Sequence, residues 1–307
     1  MGKTVKKQLT IVGLGLVLLV SLVMVVTPSA SAQLTTRDQI YIVGDDEFTL
    51  ANGVTGGSGT ELDPYVIENW AIAVSNKKGI WIENTTKFFI IRNCLAENGL
   101  FENTSGSDYS SGIYLNHVIN GVLENNSCKN NVRGISLDDL SENNNISNNI
   151  CSNNQHYGIL IDYSSNNILD QNVCDGSHIG ISIAEAFNAV FNNSCRNNSI
   201  GIRLFSAAYN SIENNNCSNN SDSGIQLITR AYSNTVVGNT CENNSYGIYV
   251  DSPCYDDDNN ILSNNTFANN SIANIYDTCG SGLPVTYIGI GVAVAAAIGA
   301  VIFLKRG

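Results

Sequence analysis

The sequence predicts an all-β fold, a right-handed single-stranded parallel β-helix, and three observations support this prediction. First, one phrase recurs about every 21 to 25 residues, as at Asn188–Leu204, Asn210–Leu227 and Asn234–Val250. Second, each copy contains a glycine, then an isoleucine and, two residues later, another aliphatic residue. Third, the stretches between these apolar positions are short and rich in asparagine, so they cannot nucleate helices.

Three aligned apolar columns predict three short strands in each turn, because residues two apart in a strand face the same side. We expect about nine turns over residues 71–282, joined by right-handed crossovers. The glycines of the first column are Gly79, Gly112, Gly134, Gly158, Gly180, Gly201, Gly224 and Gly247. The second column contains Phe89, Leu123, Ile146, Leu169, Val190, Ile212, Val236 and Leu262. The third contains Cys94, Cys128, Cys151, Cys174, Cys195, Cys217, Cys241 and Phe267.

The segment before this array is expected to close its first end. Residues 33–70 contain an alternating apolar run at Gln39–Val43 and a glycine-rich stretch at Gly56–Trp70. An uncovered strand edge promotes aggregation, so a solenoid needs a terminal cap. We therefore predict an amino-terminal cap and lead-in strands in residues 33–70.

An asparagine precedes the third column by two residues in seven turns. Asparagine tolerates the left-handed conformation, and stacked amides can bond to one another. We therefore predict that this column has a structural role at a bend between two strands. Its members are Asn126, Asn149, Asn172, Asn193, Asn215, Asn239 and Asn265.

Both ends of the sequence are apolar and basic, which predicts a single-pass protein of the cell membrane. Residues 1–32 combine three lysines, an apolar run and small residues ending at Ala32, as in a cleaved signal peptide. An uncleaved anchor is the alternative. Residues 283–304 carry no charge and are long enough for a transmembrane helix. The basic tail 305–307 is expected in the cytoplasm, which places the β-helix outside the cell.

The charge of the chain limits its partners. The net charge is −12, and all 27 acidic residues lie between the two apolar ends. Phosphate binding requires a basic surface, so a nucleic-acid partner is not expected. The expected partners are the membrane and an extracellular polysaccharide or another surface protein.

The cysteines form two groups with different expected roles. In the third column one turn has Phe267 where the others have cysteine, so the position accepts an apolar side chain. This favours buried thiols that fill apolar space. Disulfides between turns and a thiolate metal site are the alternatives, and no C-x-x-C pair supports the metal site. Cys254 and Cys279 lie outside the column, one turn apart, and are expected to form a disulfide in an extracellular protein.

N-glycosylation sequons are frequent in the repeats. They arise readily in any array rich in asparagine and serine, so which of them are used is left open. The sequon asparagines are Asn84, Asn103, Asn125, Asn145, Asn192, Asn197, Asn216, Asn219, Asn243, Asn264 and Asn269.

Side chains that point outward from the glycine strands are the candidates for chemistry. Asp138 and Asp162 occupy equivalent positions on neighbouring turns, as do His156 and His178, and Arg203 lies two turns further along. Carboxylates about 5 Å apart suit a retaining glycosidase, and an arginine can orient an acidic sugar. A solvated polar face is the favoured alternative, because the carboxylates do not continue along their column.

One acidic cluster is a candidate calcium site. Asp251, Asp256, Asp257 and Asp258 offer the oxygen ligands that Ca²⁺ prefers. A solvated acidic turn is the favoured alternative. No cofactor is therefore predicted, and calcium is the metal that this cluster would bind.

The repeat N-x-I-x-x-N-x-C-x-N-N followed by G-I-x-L resembles that of pectate-lyase-like parallel β-helix proteins. It is most similar to the repeat of the NosD-like group of archaeal surface proteins. The stretch Gly56–Trp70 also resembles the amino-terminal cap of that group. The resemblance covers about residues 40–278 and implies the fold, which lyases, hydrolases, epimerases, adhesins and metal-handling proteins share. It also implies copper handling, for which the sequence offers little, since its two methionines are Met1 and Met24.

The catalytic motifs of the enzymes in this superfold are incomplete in the chain. Asp138–Asp139 is similar to the catalytic pair of polygalacturonase-like enzymes, but the accompanying G-H and R-x-K motifs are absent. This favours a binding module over an enzyme. The leading hypothesis is a membrane-anchored binding or structural module of the cell envelope that contacts glycans. The second is a polysaccharide lyase or hydrolase acting on the outer face of the glycine strands, and the third is a copper-handling accessory protein.

Overall fold

The computed structural model describes residues 33–74, 78–99, 109–251, 259–278 and 285–286. Within them the chain winds through three parallel sheets in repeating order and forms the predicted β-helix. The described helices are two short 3-10 segments, Asp45–Glu47 and Leu50–Asn52. None of the helices in these ranges is long and apolar enough to cross a membrane. The predicted signal peptide (1–32), most of the predicted transmembrane helix (283–304) and the tail (305–307) lie outside the described residues.

The glycine sheet contains ten parallel strands stacked in chain order. Eight of them carry the glycine column, so there are about eight regular turns rather than nine, with one further strand at each end. At about 4.8 Å per strand the sheet is about 43 Å long. Its strands are β2 (Ile40–Val43), β5 (Lys78–Thr85), β8 (Ser111–Val118), β11 (Arg133–Asp138), β13 (Tyr157–Asp162), β15 (Ile179–Ala184), β17 (Ile200–Phe205), β19 (Ser223–Ile228), β22 (Tyr246–Asp251) and β25 (Ala273–Asp277).

The second sheet also contains ten parallel strands. Its last strand, Val285–Thr286, pairs with Leu262 and Ser263. The predicted helix 283–304 is therefore wrong at these two residues, because β-branched residues extend the open sheet edge there instead. The strands are β3 (Tyr65–Glu68), β6 (Phe89–Arg92), β9 (Gly121–Glu124), β12 (Asn145–Ser147), β14 (Ile168–Asp170), β16 (Ala189–Phe191), β18 (Ser211–Glu213), β20 (Thr235–Val237), β23 (Ile261–Ser263) and β26 (Val285–Thr286).

The third sheet is narrower than the other two. Single parallel bridges, such as Ile150 to Val173 and Val173 to Ser194, join its two ends through the middle turns. Each turn therefore still has three faces. The full strands are β1 (Thr35–Arg37), β4 (Trp70–Ala73), β7 (Leu95–Glu97), β10 (Ser127–Lys129), β21 (Thr240–Glu242) and β24 (Thr266–Ala268).

The first turn already contains one strand of each sheet, because β1, β2 and β3 pair with β4, β5 and β6. Phe48 is buried at this end of the core, with its ring stacked on Tyr65 at 4.6 Å and 5.7 Å from Phe89. Trp70 Nε1 donates to the Gly53 carbonyl at 2.8 Å. Residues 33–70 thus bring large rings to the end of the core.

The glycine column exists because neighbouring turns approach too closely there for a side chain. At Gly158 a Cβ would lie 2.5 Å from the carbonyl oxygen of Gly180 and 3.0 Å from the Cβ of Cys174. The side chains that follow the glycine turn into the core, and Ile159 and Ile161 are completely buried. The column therefore closes the corner between the third sheet and the glycine sheet.

One predicted member of the third column is misplaced. The strand register pairs Ala96, not Cys94, with Cys128. The Cys94 N–H instead donates to Asn126 Oδ1 at 3.0 Å. In the next turn the Asn126 N–H donates to Asn149 Oδ1 in the same way. In this turn a cysteine stands at the corner and an alanine fills the core. From Cys128 to Cys241 the cysteines are buried as predicted, and Phe267, in register with Cys241, is partly buried against the core.

Asparagine ladders hold all three corners of the β-helix, although the sequence predicted only one. We name the corners in chain order: the first joins the glycine sheet to the second sheet, the second joins the second to the third, and the third returns to the glycine sheet. The first ladder contains Asn144, Asn167, Asn188, Asn210, Asn234 and Asn260. The second is the predicted column from Asn126 to Asn265. The third contains Asn131, Asn154, Ser177, Asn198, Asn220, Asn244 and Asn270.

Asn149 shows how a ladder residue supports its corner. Its Oδ1 accepts from the backbone N–H and the Nδ2 of Asn126, both at 3.0 Å. Its Nδ2 donates to the Leu123 carbonyl at 2.8 Å and to Asn172 Oδ1 at 3.0 Å. The amide therefore satisfies backbone groups that leave the sheets at the bend, where buried polar groups would otherwise be costly.

The left-handed residue at the second corner is the one before the ladder asparagine, not the ladder asparagine as predicted. Asn148 has φ 56° and is exposed, whereas Asn149 is buried and is not among the residues with positive φ. The bend places one side chain outward and the next inward. The residues with positive φ at this corner are Asn125, Asn148, Gln171, Asn192, Asn214, Gly238 and Asn264.

We predict that Asn149→Ala lowers the free energy of unfolding by about 3 kcal/mol, because several buried hydrogen bonds are lost and the Asn126 N–H is left unpaired. Urea denaturation followed by circular dichroism measures the change. Asn148→Gly is the matched control: glycine adopts positive φ readily, so a near-neutral effect is expected. Equal losses in the two variants would contradict a specific role for the ladder.

Candidate functional site

The outer face of the glycine sheet, here called the glycine face, is a continuous surface that spans ten strands. Strand register aligns its central outward column across all ten strands. Aromatic residues occupy both ends of this column, and polar residues occupy most of its middle. The column contains Tyr41, Trp81, Tyr114, Ser136, Leu160, Ser182, Arg203, Gln226, Tyr249 and Tyr276.

An aromatic cluster lies at the amino-terminal end of the glycine face. The Trp81 ring is 4.5 Å from that of Tyr41 and 5.9 Å from that of Tyr114. The Lys78 ammonium lies 4.4 Å from the Trp81 ring and 4.7 Å from the Tyr114 ring. Glu83 accepts from the Tyr41 hydroxyl at 2.7 Å and from Trp81 Nε1 at 2.9 Å. The hydrogen bond to Glu83 raises the pKa of Tyr41 to about 12.

A second aromatic cluster lies at the other end of the glycine face. The rings of Tyr249 and Tyr276 are stacked at 5.3 Å, with 13° between their planes. Tyr246 lies 5.1 Å from the first ring and 5.4 Å from the second. Burial and the nearby Asp251 carboxylate raise the pKa of Tyr249. Trp81 and Tyr249 are seven strands apart, which corresponds to about 34 Å.

Two arginines occupy the centre of the glycine face and contact Tyr157. Arg203 donates from Nη2 to the Tyr157 hydroxyl at 3.3 Å and to Ser182 Oγ at 3.2 Å. The Arg133 guanidinium lies 4.6 Å from the Tyr109 ring and 5.9 Å from the Tyr157 ring. The Nε of Arg133 is buried and has no hydrogen-bond partner among the described residues. The centre thus holds two cations whose donors are incompletely used.

The predicted carboxyl pair lies beside these arginines. Asp138 and Asp162 end adjacent strands, and Arg133 Nη1 is 3.6 Å from the Asp138 carboxylate. Burial raises the pKa of Asp138, Arg133 lowers it, and burial dominates. Burial also raises the pKa of Asp162, again opposed by Arg133. Burial, with a contribution from Asp138, raises the pKa of Tyr114.

The two predicted histidines follow the same register as the carboxyl pair. The Ile179 N–H donates to the His156 carbonyl, so His156 and His178 lie on adjacent turns. The His156 ring is 5.7 Å from that of Tyr109 and 6.1 Å from that of Tyr157, whereas His178 is exposed. The structure therefore brings Asp138, Asp162, Arg203 and His156 to the centre of the glycine face and leaves His178 at its margin.

Several residues of the glycine face were missed from the sequence. Arg133, Tyr157 and Tyr246 stand directly before the glycine, in an outward column that the sequence analysis did not align. Aligning one residue further upstream would have found them. Tyr109 stands three residues before Gly112, and only its contacts in space place it on this face.

A family model described as "Periplasmic copper-binding protein (NosD)" matches residues 72–209 and 100–282, which together make up more than half of the chain. The chain belongs to the NosD family. Comparison with curated proteins finds no significant match.

Solved structures similar to this NosD-family chain are right-handed parallel β-helices. The mannuronan C-5 epimerase A-module of Azotobacter vinelandii is 17% identical over 75% of the chain and 64% of that module, with a TM-score of 0.54. Dettilon tailspike protein is 14% identical over 83% of the chain and 60% of its own, with a TM-score of 0.56. A periplasmic alginate epimerase is 14% identical over 83% of the chain and 84% of its own, with a TM-score of 0.52. The chain thus spans less than two thirds of the first two, and the likeness shows the fold.

The described residues do not fit the copper named in the family description. They contain no group of three His, Cys, Asp or Glu side chains that could hold a metal ion. The seven described cysteines are free and buried, and burial raises the pKa of Cys151, Cys174 and Cys195 well above the usual thiol range. Such thiols remain protonated, whereas metals bind thiolates.

The remaining predicted sites lie partly or wholly outside the described residues. Of the calcium candidates, Asp251 accepts from the Thr278 hydroxyl at 3.1 Å, while Asp256, Asp257 and Asp258 are outside those ranges. The predicted disulfide partners Cys254 and Cys279 and the sequon Asn103 are also outside them. These assignments stay predictions.

We predict that Asp138 contributes a loss of stability as pH rises above the ordinary range of an aspartate pKa. Burial raises the pKa of Asp138 in the folded state, so the folded state binds this proton more tightly than the unfolded state does. Asp138→Asn should therefore flatten the pH dependence of the free energy of unfolding, and adding Asp162→Asn should flatten it further. Urea titrations at several pH values measure the slope. A slope unchanged from wild type in both variants would contradict the assignment.

Proposed function

We propose that this NosD-family chain is a membrane-anchored extracellular module that binds a polysaccharide along the glycine face. The observation that carries the proposal is the layout of that face: aromatic clusters at both ends and an arginine–tyrosine centre between them. Aromatic rings provide apolar area with polar edges, which suits sugar rings. The described residues form the extracellular part in this proposal, and the apolar ends of the sequence form the signal peptide and the anchor.

The centre of the glycine face favours a polysaccharide that carries carboxylates. Among the described residues, Arg203 donates only to hydroxyl groups and pairs with no carboxylate. Arg133 shares one contact with Asp138 and keeps a buried Nε without a partner. A carboxylated sugar would supply acceptors for the remaining guanidinium N–H groups of Arg203, and charge-assisted hydrogen bonds are among the stronger ones.

The structural neighbours are consistent with this class of ligand. By their names, the epimerases act on mannuronan and alginate. A further neighbour is an α-1,3-glucanase from Streptomyces thermodiastaticus, 14% identical over 73% of the chain and 48% of its own, with a TM-score of 0.52. Because these identities are low, the likeness supports the fold and only motivates the choice of ligands to test.

We predict that the purified full-length protein binds immobilised polymannuronate or polygalacturonate in titrations followed by biolayer interferometry. Trp81→Ala and Tyr249→Ala should each weaken binding roughly tenfold, about 1.4 kcal/mol, because a stacking surface is lost. Arg203→Gln should weaken binding to these polymers by roughly ten- to a hundredfold and leave binding to an α-1,3-glucan unchanged.

Phe191→Ala is the matched control for this experiment, because Phe191 is a half-buried aromatic residue on the second sheet. It should not alter binding. Equal affinity of wild type and the three glycine-face variants, or a loss in the control alone, would refute the assignment of the face.

The carboxyl pair supports a second candidate function, a polysaccharide lyase or hydrolase. Asp138 and Asp162 end adjacent strands, whose backbones are about 4.8 Å apart, and two carboxyl groups about 5 Å apart are what a retaining glycosidase uses. A raised pKa is what a carboxyl group needs to act as a general acid near neutral pH.

For this second candidate, the expected result is a release of reducing ends or unsaturated products from acidic polysaccharides. Asp138→Asn should lower that rate at least a hundredfold, whereas Asp170→Asn on the second sheet should not. Wild-type protein that binds the polymers but leaves their chain length unchanged would leave the binding module as the function.

A further inference from the structure

We infer that the second and third corners of the β-helix are N-glycosylated edges, while the first corner and the glycine face are kept free for contact. The first part rests on the exposure and spacing of the sequons alone. The second part also rests on the proposed binding function.

Every sequon asparagine within the described ranges is exposed. Seven of them stand in the left-handed position directly before a ladder asparagine, which is buried in six cases and half-buried at Asn270. At the second corner these are Asn125, Asn192 and Asn264, and at the third corner they are Asn197, Asn219, Asn243 and Asn269. The other three are Asn84, Asn145 and Asn216.

The corner needs a residue that adopts positive φ followed by a ladder residue, and it does not need the hydroxyl residue that completes a sequon. At the second corner the residue after the ladder asparagine is Ser127 in one turn, Ile150 in the next and Val173 in the next. All three occupy the same bridge position in the third sheet. Serine or threonine at this position is therefore not imposed by the backbone.

The first corner provides an internal comparison, because it has a ladder of the same kind. At none of its six ladder residues do the residues before and after form a sequon with it. Where Ser211 and Thr235 follow the ladder residue, the preceding positions are Tyr209 and Ser233; where Asn166 precedes it, Ile168 follows. The position before the ladder residue thus carries sequons at the second and third corners and none at the first. Two exposed sequons still flank the first corner, Asn84 at the end of β5 and Asn145 directly after the ladder residue Asn144.

The first corner instead carries exposed apolar side chains on five successive turns. Such residues are costly at positive φ, where asparagine or glycine is preferred, yet Phe187 has φ 60° and Tyr209 has φ 56°. Their rings stack at 5.2 Å, and Tyr232 follows at 5.7 Å from Tyr209. The five exposed residues are Leu140, Tyr163, Phe187, Tyr209 and Tyr232. This strip borders the carboxyl-bearing edge of the glycine face.

The side-chain amides on the two sequon edges are suited to modification. Among the described residues, Asn197, Asn219 and Asn243 make no side-chain hydrogen bond, whereas Asn192 Nδ2 donates to Asp170 at 3.0 Å. The serines of the third corner have a competing structural role, since Ser245 donates to the Ser221 carbonyl at 2.9 Å. A purely structural serine ladder is therefore the alternative that an experiment must separate.

The first measurement is site occupancy on the full chain produced in an N-glycosylating host. An amidase that removes N-glycans in heavy-oxygen water converts each glycosylated asparagine to a labelled aspartate, which mass spectrometry of the peptides identifies. We expect this conversion at the seven corner sites, with partial conversion at Asn192. Folded protein without glycan at these sites, from cells that glycosylate their own proteins, would overturn the inference and leave the serine ladder.

The second measurement adds one sequon to each kind of corner. Ile168→Thr makes Asn166 a sequon on the first corner, and Ile150→Thr makes Asn148 one on the second. Both isoleucines are exposed, and both asparagines are exposed with φ near 57°. With glycan attached, Ile168→Thr should weaken polysaccharide binding at least tenfold, and Ile150→Thr should leave it unchanged.

The outcomes separate the two parts of the inference. If the corner sites carry glycan but the two added-sequon variants bind polysaccharide equally well, the inference that the first corner is kept free is wrong. The inference that the second and third corners are glycosylated then still holds. If either added sequon stays unmodified, Asn166→Cys and Asn148→Cys labelled with a polyethylene glycol maleimide replace the pair, because the described native cysteines are buried. Wild-type protein that carries the glycans but binds no polysaccharide would refute the proposed function alone.

Discussion

The fold depends on the hydrogen bonding of backbone groups at three bends in every turn. Most strands of the second and third sheets are only three residues long, so a large share of the backbone lies in corners rather than in ladders of a sheet. Buried amides supply the missing partners there, and each one also bonds to its equivalent in the next turn. A turn is therefore stabilised mainly by the turn before it and the turn after it, as in other solenoids.

Because the buried residues determine the backbone path, the outward residues are free to vary widely. The inward columns and the ladders fix the path of the chain, and no outward side chain of the glycine sheet is needed for that purpose. Tryptophan, arginine, serine and leucine all occur in one outward column. Chemistry can then be placed at a chosen distance along the sheet by choosing the turn. The cluster of Arg133, Tyr157 and Arg203 extends across four adjacent strands in this way.

The sequence predicted the repeating features well because each is repeated in several turns. The glycine column, the second apolar column and one of the three ladders were found by alignment alone. Cys94 was misassigned because its corner contains a cysteine in place of asparagine, so the motif fitted a register shifted by two residues. The outward residues Asp138, Asp162 and Arg203 were placed on one face correctly. The contacts of Arg133 and Tyr109 could not be foreseen, since long side chains crossing turns follow no repeat.

The column of buried thiols in the core constrains how the chain folds. Six cysteines occupy equivalent positions from Cys128 to Cys241, one in each turn, and all are buried and unpaired. In the finished core each thiol lies beside its equivalent in the next turn, yet none of them is paired. In the extracellular location proposed above, an oxidising environment would favour disulfides between these thiols before they are buried. For the column to stay reduced there, each new turn would have to bury its thiol faster than the thiol is oxidised, so the order and speed of folding would matter as much as the final structure.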